Sequence, residues 1–258
     1  DPFLQDRIAE IGPGVAAALS YVRDEIGFEA YEGSLRGARG AMWSEAGNSL
    51  DQASLLIALL RGQGIACRYV RGTLATADIK ALIESMFDRD RLASAVGYVP
   101  PESHGTTWPR VDPANDPGLI DWISDHWWVE LEDGTQLDPC FAGAIVGSAP
   151  GIPEETHFSV PDILRHKIKV ELKAEFHNML SQYSYETPLQ ETFATPEVYG
   201  RPLTIGHFVN THQPPSLVGS YTTYTYTPYV IVEDNDGRVD NDHLIQGQDF
   251  QEFYNTLI

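Results

Sequence analysis

The most regular hydrophobic pattern in the chain lies over residues 49–61. Leu55, Leu56, Leu59 and Leu60 recur at the three- and four-residue spacing of a single helix face. Two glycines follow almost at once, which is typical of the end of a helix. The pattern therefore predicts a helix whose apolar face packs on a core.

Shorter patterns surround this helix. Apolar residues at helical spacing predict helical structure over residues 4–25, interrupted at Gly12-Pro13-Gly14, and residues 67–73 are typical of a strand. An amphipathic helix opens the segment 74–125, which continues as a stretch rich in proline and polar residues. We interpret 74–125 as a long insertion, and connections of this length are usually functional or mobile.

Residues 126–138 predict a β-hairpin that turns at residues 132–134, Glu-Asp-Gly. A three-residue loop with its glycine in the left-handed conformation pairs Asp138 with Trp128. Because alternate residues of a strand share a face, this register places Asp138 on the same face as His126, whereas a two-residue turn would separate them. We predict the three-residue loop.

Strand patterns dominate the chain beyond residue 142. The segments "HKIKVELKAEF", "PLTIGHFV" and "YTTYTYTPYVIV" are the clearest, and glycines and prolines separate them. We therefore predict an α+β fold in which the helix that begins at Ser49 packs on an antiparallel sheet. This core spans residues 1–145 with the insertion 74–125, and a β-rich region over residues 146–258 follows it.

Charge narrows the range of partners. The 258 residues include 17 Lys and Arg against 37 Asp and Glu, a net charge of −20. Nucleic-acid binding depends on cations that neutralise phosphates, so we predict no nucleic-acid partner. No apolar run approaches the roughly 20 residues that a membrane helix needs, and we predict no membrane insertion.

The cysteine count and the ends of the chain add two expectations. Only two cysteines are present, Cys67 and Cys140, which excludes a disulfide scaffold and a cysteine-rich zinc site. The chain begins at Asp1 without a methionine or a leader and ends on "FYNTLI". We interpret it as part of a longer protein whose other domains are potential partners.

Two segments resemble the transglutaminase-like superfamily, which has a papain-like fold. The first is "GNSLDQASLLIALLRGQGIACRYVRG" over residues 47–72, similar to the family's nucleophile helix and the strand after it. The second is "HWWVELEDGTQLDP" over residues 126–139, similar to the family's histidine strand and the aspartate that follows. Together with the N-terminal helices, the resemblance covers roughly residues 5–142.

The resemblance implies a catalytic triad of Ser49, His126 and Asp138. In this family a cysteine at the helix start attacks a carboxamide, and the resulting thioester passes to an amine or to water. The helix dipole favours the thiolate, the histidine transfers the proton and the aspartate orients the histidine. This chemistry needs no cofactor and no metal. It implies a protein, peptide or other amide or glycan substrate, in a bacterial and extracellular or cell-surface setting.

Ser49 departs from the family, which has cysteine at this position, and four interpretations stay open. Ser49 could cap the helix through a Ser-x-x-Gln capping box in an inactive relative, or act as a serine nucleophile with His126 as its base. It could replace a natural cysteine through a deliberate change. Finally, Cys140, which the hairpin register places across from His126, could serve as a relocated nucleophile.

Further candidates belong to the same cleft. We assign substrate contacts to Trp43, Asn48, Trp128 and Cys140. Acyl transfer or amide hydrolysis is the first hypothesis for function, and an inactive binding or structural module of a larger extracellular protein is the second. A third is hydrolysis by carboxylates, with Asp51, Glu130 and Asp138 as candidates, although an acid in the first helical turn also favours the helix dipole.

Overall fold

The computed structural model describes residues 1–87, 112–177, 183–212, 222–233 and 244–254. The chain divides into two compact units, Asp1–His166 and Lys167–Ile258. The predicted boundary at residue 145 lies inside the first unit, because a strand over Ile152–His157 pairs with the sheet of that unit.

The helices of the first unit include three that pack on a fourth. They are α1 (Pro2–Ile11), α2 (Val15–Glu25), α3 (Gly37–Ser44), α4 (Ser49–Gly62), α5 (Thr76–Ser85) and α6 (Pro117–Ser124). The predicted leucine stripe of α4 is fully buried, and α1, α2 and α3 all pack on that helix. A fully buried leucine contributes about 1.5–3 kcal/mol relative to an exposed one, so this stripe accounts for much of the core.

A four-stranded antiparallel sheet lies against α4. Its strands are β3 (Cys67–Thr73), β4 (Asp125–Leu131), β5 (Gln136–Leu137) and β6 (Ile152–His157), in the order β5-β4-β3-β6. A small parallel pair, β1 (Gly27–Phe28) and β2 (Ala46–Gly47), lies just before α4 in the chain. Gly72 allows β6 to approach β3, since a Cβ atom there would lie 2.0 Å from the carbonyl oxygen of Ile152.

The β4–β5 hairpin has the predicted three-residue loop. Glu130 pairs with Gln136, and the Leu131 amide donates to the Thr135 carbonyl. Gly134 has φ 85°, the left-handed conformation that the loop requires. This register brings His126 and Asp138 to one face of the hairpin, as predicted.

The insertion packs a second apolar cluster beside the main core. Helices α5 and α6 contribute Ile79, Leu82, Ile83 and Ile123, which pack near Cys140. The proline-rich middle of the insertion, over residues 88–111, lies outside the described residues. The insertion thus forms part of the structure around the hairpin.

The second unit is built almost entirely of strands, which confirms the predicted β-rich region. It contains β7 (Lys167–His177), β8 (Tyr183–Ala194), a short helix α7 (Thr195–Val198), β9 (Leu203–His212), β10 (Thr222–Val232), β11 (Leu244–Gln246) and β12 (Phe250–Tyr254). Strands β7 and β8 form one antiparallel pair, and β10 pairs with β9, β11 and β12. None of the helices within the described parts of the chain has the length and hydrophobicity to cross a membrane.

Candidate active site

Asn48, and not Ser49, caps helix α4. The Asn48 side chain accepts a hydrogen bond from the Asp51 amide at 2.9 Å, and its Nδ2 donates to the carbonyls of Tyr31 and Gly33. The Gln52 side chain donates to the Gly47 carbonyl instead of returning to Ser49. The predicted Ser-x-x-Gln capping box is therefore wrong, because the residue one position earlier already fills the capping role.

Ser49 is the first residue of α4 and faces strand β4. Its hydroxyl oxygen accepts a hydrogen bond from the Trp127 amide at 3.2 Å, and its side chain is almost completely buried. The first amides of a helix have no partner within the helix, and the positive end of the helix dipole lies there. Ser49 thus presents a hydroxyl at a position that favours developing negative charge.

His126 and Asp138 form a fully buried pair. Nε2 of His126 lies 2.8 Å from Oδ2 of Asp138, and neither side chain is exposed to solvent. The imidazole ring stacks on Trp128, with 6.1 Å between ring centroids. The second ring nitrogen, Nδ1, is buried and has no hydrogen-bond partner within the described part of the chain.

A cleft of about 570 Å³ opens at the start of α4. Its walls come from the loop before α3, the start of α4, helix α6 and the segment 163–166. The side chains that define its character are Phe28, Tyr31, Glu32, Ser49, Asp121, Trp122, Asp125, Trp127 and Arg165. Ser49 is the only member of the predicted triad among these lining residues, since His126 and Asp138 lie behind it.

A known protein family matches the N-terminal half of the chain. A profile described as the transglutaminase-like superfamily matches residues 6–134, which is half of the chain. The chain belongs to the transglutaminase-like superfamily. No curated protein and no solved structure matched in the corresponding comparisons.

The transglutaminase-like core does not bring all the predicted substrate contacts into the cleft. Asn48 lines the cleft, but its side chain is engaged in capping α4. Trp43 lies on α3, where its ring meets Phe3 edge-on, and is not among the lining residues. Trp128 is fully buried behind His126. Trp128 therefore serves packing, whereas Trp43 is 43% exposed and lies outside the cleft.

Cys140 lies beside the His126–Asp138 pair and not in the cleft. Its amide donates to Oδ1 of Asp138 at 3.1 Å. Burial raises the pKa of its thiol well above the ordinary value, and the neighbouring Asp138 carboxylate adds to this effect. A relocated nucleophile would need an accessible thiolate, so these features argue against that role for Cys140.

Two lining aromatic residues of this transglutaminase-like cleft were not assigned to it from the sequence. Trp127 stands beside Ser49 in the cleft and also packs edge-on against Tyr69, with 6.3 Å between centroids. Trp122 lies on α6 of the insertion and is 43% exposed. In the sequence, the one indication for Trp122 is the amphipathic pattern of residues 117–124. The proline-rich sequence around these residues obscures that pattern.

Asp51 connects helix α4 to the wall of the cleft. Its buried carboxylate accepts five hydrogen bonds, whose donors are the side chains of Tyr31 and Ser34 and the amides of Leu35, Arg36 and Gly37. Burial and the adjacent Asp51 carboxylate raise the pKa of Tyr31, so its hydroxyl stays protonated and donates to Asp51. Asp51 therefore does much more than favour the helix dipole.

The hydrolytic hypothesis based on carboxylates finds no support in this geometry. Asp51 is committed to the loop before α3, Glu130 is paired with Arg68 and Gln136, and Asp138 is paired with His126. Paired acid–base catalysis needs two carboxyl groups that flank one substrate position. None of these three lines the cleft.

A group of three residues has the chemistry of metal ligands. The ligand atoms of His126, Asp138 and Cys140 lie within 4.8 Å of one another, and all three side chains are buried. The predicted transglutaminase-like chemistry does not use a metal at this position.

Proposed function

We propose that this domain transfers an acyl group from a carboxamide, on a protein or peptide, to water or to an amine. Ser49 is the nucleophile, His126 is the general base and Asp138 orients His126. The observation that carries the proposal is the buried Nδ1 of His126, which lacks a partner while Nε2 is held by Asp138. Buried polar atoms are nearly always hydrogen-bonded, and a catalytic role is one recognised reason for an exception.

The reaction proceeds in two stages. Ser49 Oγ attacks the carboxamide carbon, and its proton passes to Nδ1 of His126. The first amides of α4 stabilise the oxyanion, because they have no partner within the helix and the helix dipole favours negative charge. His126 then gives the proton to the departing amine or ammonia, which leaves an ester on Ser49. Water or a second amine, deprotonated by His126, attacks the ester and releases Ser49.

Asp138 is suited to the orienting role. Its Oδ2 holds Nε2 of His126, and its Oδ1 accepts from the Cys140 amide, so the carboxylate cannot rotate away. With the proton of the neutral imidazole on Nε2, the lone pair of the ring lies on Nδ1. This is the tautomer that a base acting through Nδ1 requires.

The dimensions and lining of the cleft fit one amino-acid side chain with its neighbouring backbone. Pockets that bind small ligands commonly measure about 300–1,000 Å³ and combine aromatic walls with a few polar groups. Trp122 and Trp127 provide the aromatic surfaces here, and Glu32 and Asp121 add negative charge. We place the domain in a larger, extracellular bacterial protein, where such substrates occur.

A binding module without catalysis is the second candidate, and one observation favours it. The Ser49 oxygen is hydrogen-bonded to the Trp127 amide and not to His126. A serine hydroxyl also ionises far less readily than a thiol, so the helix dipole alone cannot activate it. In this alternative the cleft binds a peptide and releases it unchanged.

Substitutions at Ser49 separate the two candidates. On a panel of peptide carboxamides and p-nitrophenyl esters, we expect measurable turnover by the unmodified chain and none by Ser49→Ala. Ser49→Cys should acylate about an order of magnitude faster, since a thiol is the better nucleophile at a helix N-terminus. The measurements are ammonia release, amine incorporation and p-nitrophenol release.

Ser54→Ala is the matched control for this series. Ser54 lies in the same helix, is equally buried and donates to the Leu50 carbonyl without reaching the cleft. Its substitution should leave turnover unchanged. If neither the unmodified chain nor Ser49→Ala turns over substrate while peptides still bind, the binding module is the correct function. Equal turnover by the two would reject Ser49 as the nucleophile.

A further inference from the structure

The buried group behind Ser49 has the composition of a transition-metal site. His126, Asp138 and Cys140 offer one imidazole, one carboxylate and one thiol, and their ligand atoms lie within 4.8 Å of one another. We propose that this group binds a thiophilic divalent cation such as Zn²⁺, and that the bound cation switches off the acyl-transfer site. Metal binding itself does not depend on the proposed function; only the inhibition does.

The ligand set suits zinc in chemistry and in number. Zinc sites commonly combine nitrogen, sulfur and carboxylate ligands at about 2.0–2.3 Å, and three protein ligands leave a fourth position for water. The three ligand atoms now lie up to 4.8 Å apart, and zinc bonds of this length require them to lie closer together. Nε2 of His126 and Oδ2 of Asp138, which are 2.8 Å apart, must instead separate to admit the cation. Rotation of the Asp138 and Cys140 side chains, which lie two residues apart in the chain, would have to supply both changes.

Charge also favours a divalent cation here. A thiolate at Cys140 and a carboxylate at Asp138 together carry two negative charges, which a divalent cation neutralises in a site shielded from water. Without a cation, two negative charges placed side by side here would repel each other, because Asp138 and Cys140 are both buried and adjacent. The unfavourable free energy of placing both charges in the interior is therefore offset only when the cation is bound.

The binding step balances in protons. The cation binds Nε2 of His126, an oxygen of Asp138 and the sulfur of Cys140, and the Cys140 proton is released to solvent. Neutral His126 that binds metal through Nε2 must carry its proton on Nδ1. Nδ1 is the atom that accepts the Ser49 proton in the proposed reaction, so the cation-bound domain has no general base.

Zinc binding can be measured without any substrate. Calorimetric titration of the unmodified chain with ZnCl₂, in buffer that contains excess Mg²⁺, should show one tight site and proton release. Cys140→Ser should weaken that site by about a hundredfold or more, because it removes the thiolate ligand. Cys67→Ser is the matched control and should bind normally, since Cys67 is also buried but lies on β3 outside the group.

Cobalt gives a second measurement that needs no variant. Co²⁺ bound to the unmodified chain should show the near-ultraviolet charge-transfer absorption of a cobalt–thiolate bond, which Cys67→Ser should retain. Equal zinc affinity of the unmodified chain and Cys140→Ser, or a cobalt complex without this absorption, would overturn the proposal.

The activity assay distinguishes this inference from the proposed function. If both are correct, one equivalent of Zn²⁺ abolishes turnover and a chelator restores it. If the chain binds zinc tightly but never turns over substrate, the proposed metal site stands and the proposed acyl transfer is wrong. Turnover that persists with the site saturated by Zn²⁺ would reject the inhibitory role of the metal.

Discussion

Replacing His126 with glutamine is expected to lower kcat/KM for a carboxamide or ester substrate by about 10²–10⁴-fold, the usual contribution of a general base. Glutamine can still donate a hydrogen bond to the buried Asp138, but it cannot take up the Ser49 proton. The measurement is the initial rate over a range of substrate concentrations, together with thermal unfolding to confirm that the variant is folded.

His207→Ala provides the comparison for this variant. His207 is an exposed histidine on β9 of the second unit, and its substitution should leave kcat/KM unchanged. If His126 served only to fill the core, His126→Gln would lower the unfolding temperature while kcat/KM stayed within a few-fold of the unmodified value. That result would contradict the assignment of His126 as the base.

Replacing Asp51 with alanine is expected to destabilise the domain by about 3–5 kcal/mol, as is usual when one partner of a buried charged network is removed. The five groups that donate hydrogen bonds to the Asp51 carboxylate would be left without this acceptor. Chemical denaturation of the unmodified chain and the variant, monitored by tryptophan fluorescence, measures this difference.

Asp78→Ala separates the hydrogen-bond network from the helix dipole. Asp78 occupies the first turn of α5, as Asp51 does in α4, so both favour their helix dipoles. Loss of the dipole interaction alone costs about 0.3–1 kcal/mol, which is what we expect for Asp78→Ala. Comparable losses for the two variants would show that the Asp51 network contributes little.

The parts of the fold that follow from local pattern were predictable from the sequence. The leucine stripe of α4 and the alternation of β3 each determine a local structure. The hairpin register followed from loop geometry, because Gly134 can adopt the left-handed conformation and the face of His126 then fixes the position of Asp138. These predictions need only neighbours along the chain or across one turn.

The errors concern contacts between residues distant in sequence. Ser49 and Asn48 are both good capping residues, and the choice between them depends on the loop near Tyr31, which holds Asn48 in place. The network of Asp51 joins residues 14–20 positions apart, and Trp122 reaches the cleft only through the path of the insertion. Periodicity carries no information about such contacts.

The boundary between the two units shows the same limitation. The pattern changes after residue 142, where strand-like segments separated by glycines and prolines replace the helical patterns. Strand β6 nevertheless pairs with β3, about 80 residues earlier in the chain, and this pairing keeps residues up to His166 in the first unit. A long-range strand pairing of this kind cannot be inferred from a change in local pattern.

Ser49 should carry an acyl group during turnover, and intact-mass spectrometry detects this acyl group directly. The chain is mixed with an excess of a p-nitrophenyl ester, quenched in acid within the first turnover, and digested to locate any adduct. We expect one acyl group on Ser49 of the unmodified chain. This acyl group should be absent from Ser49→Ala and greatly reduced in His126→Gln. An unmodified Ser49 peptide, or an adduct of equal abundance in Ser49→Ala, would contradict it.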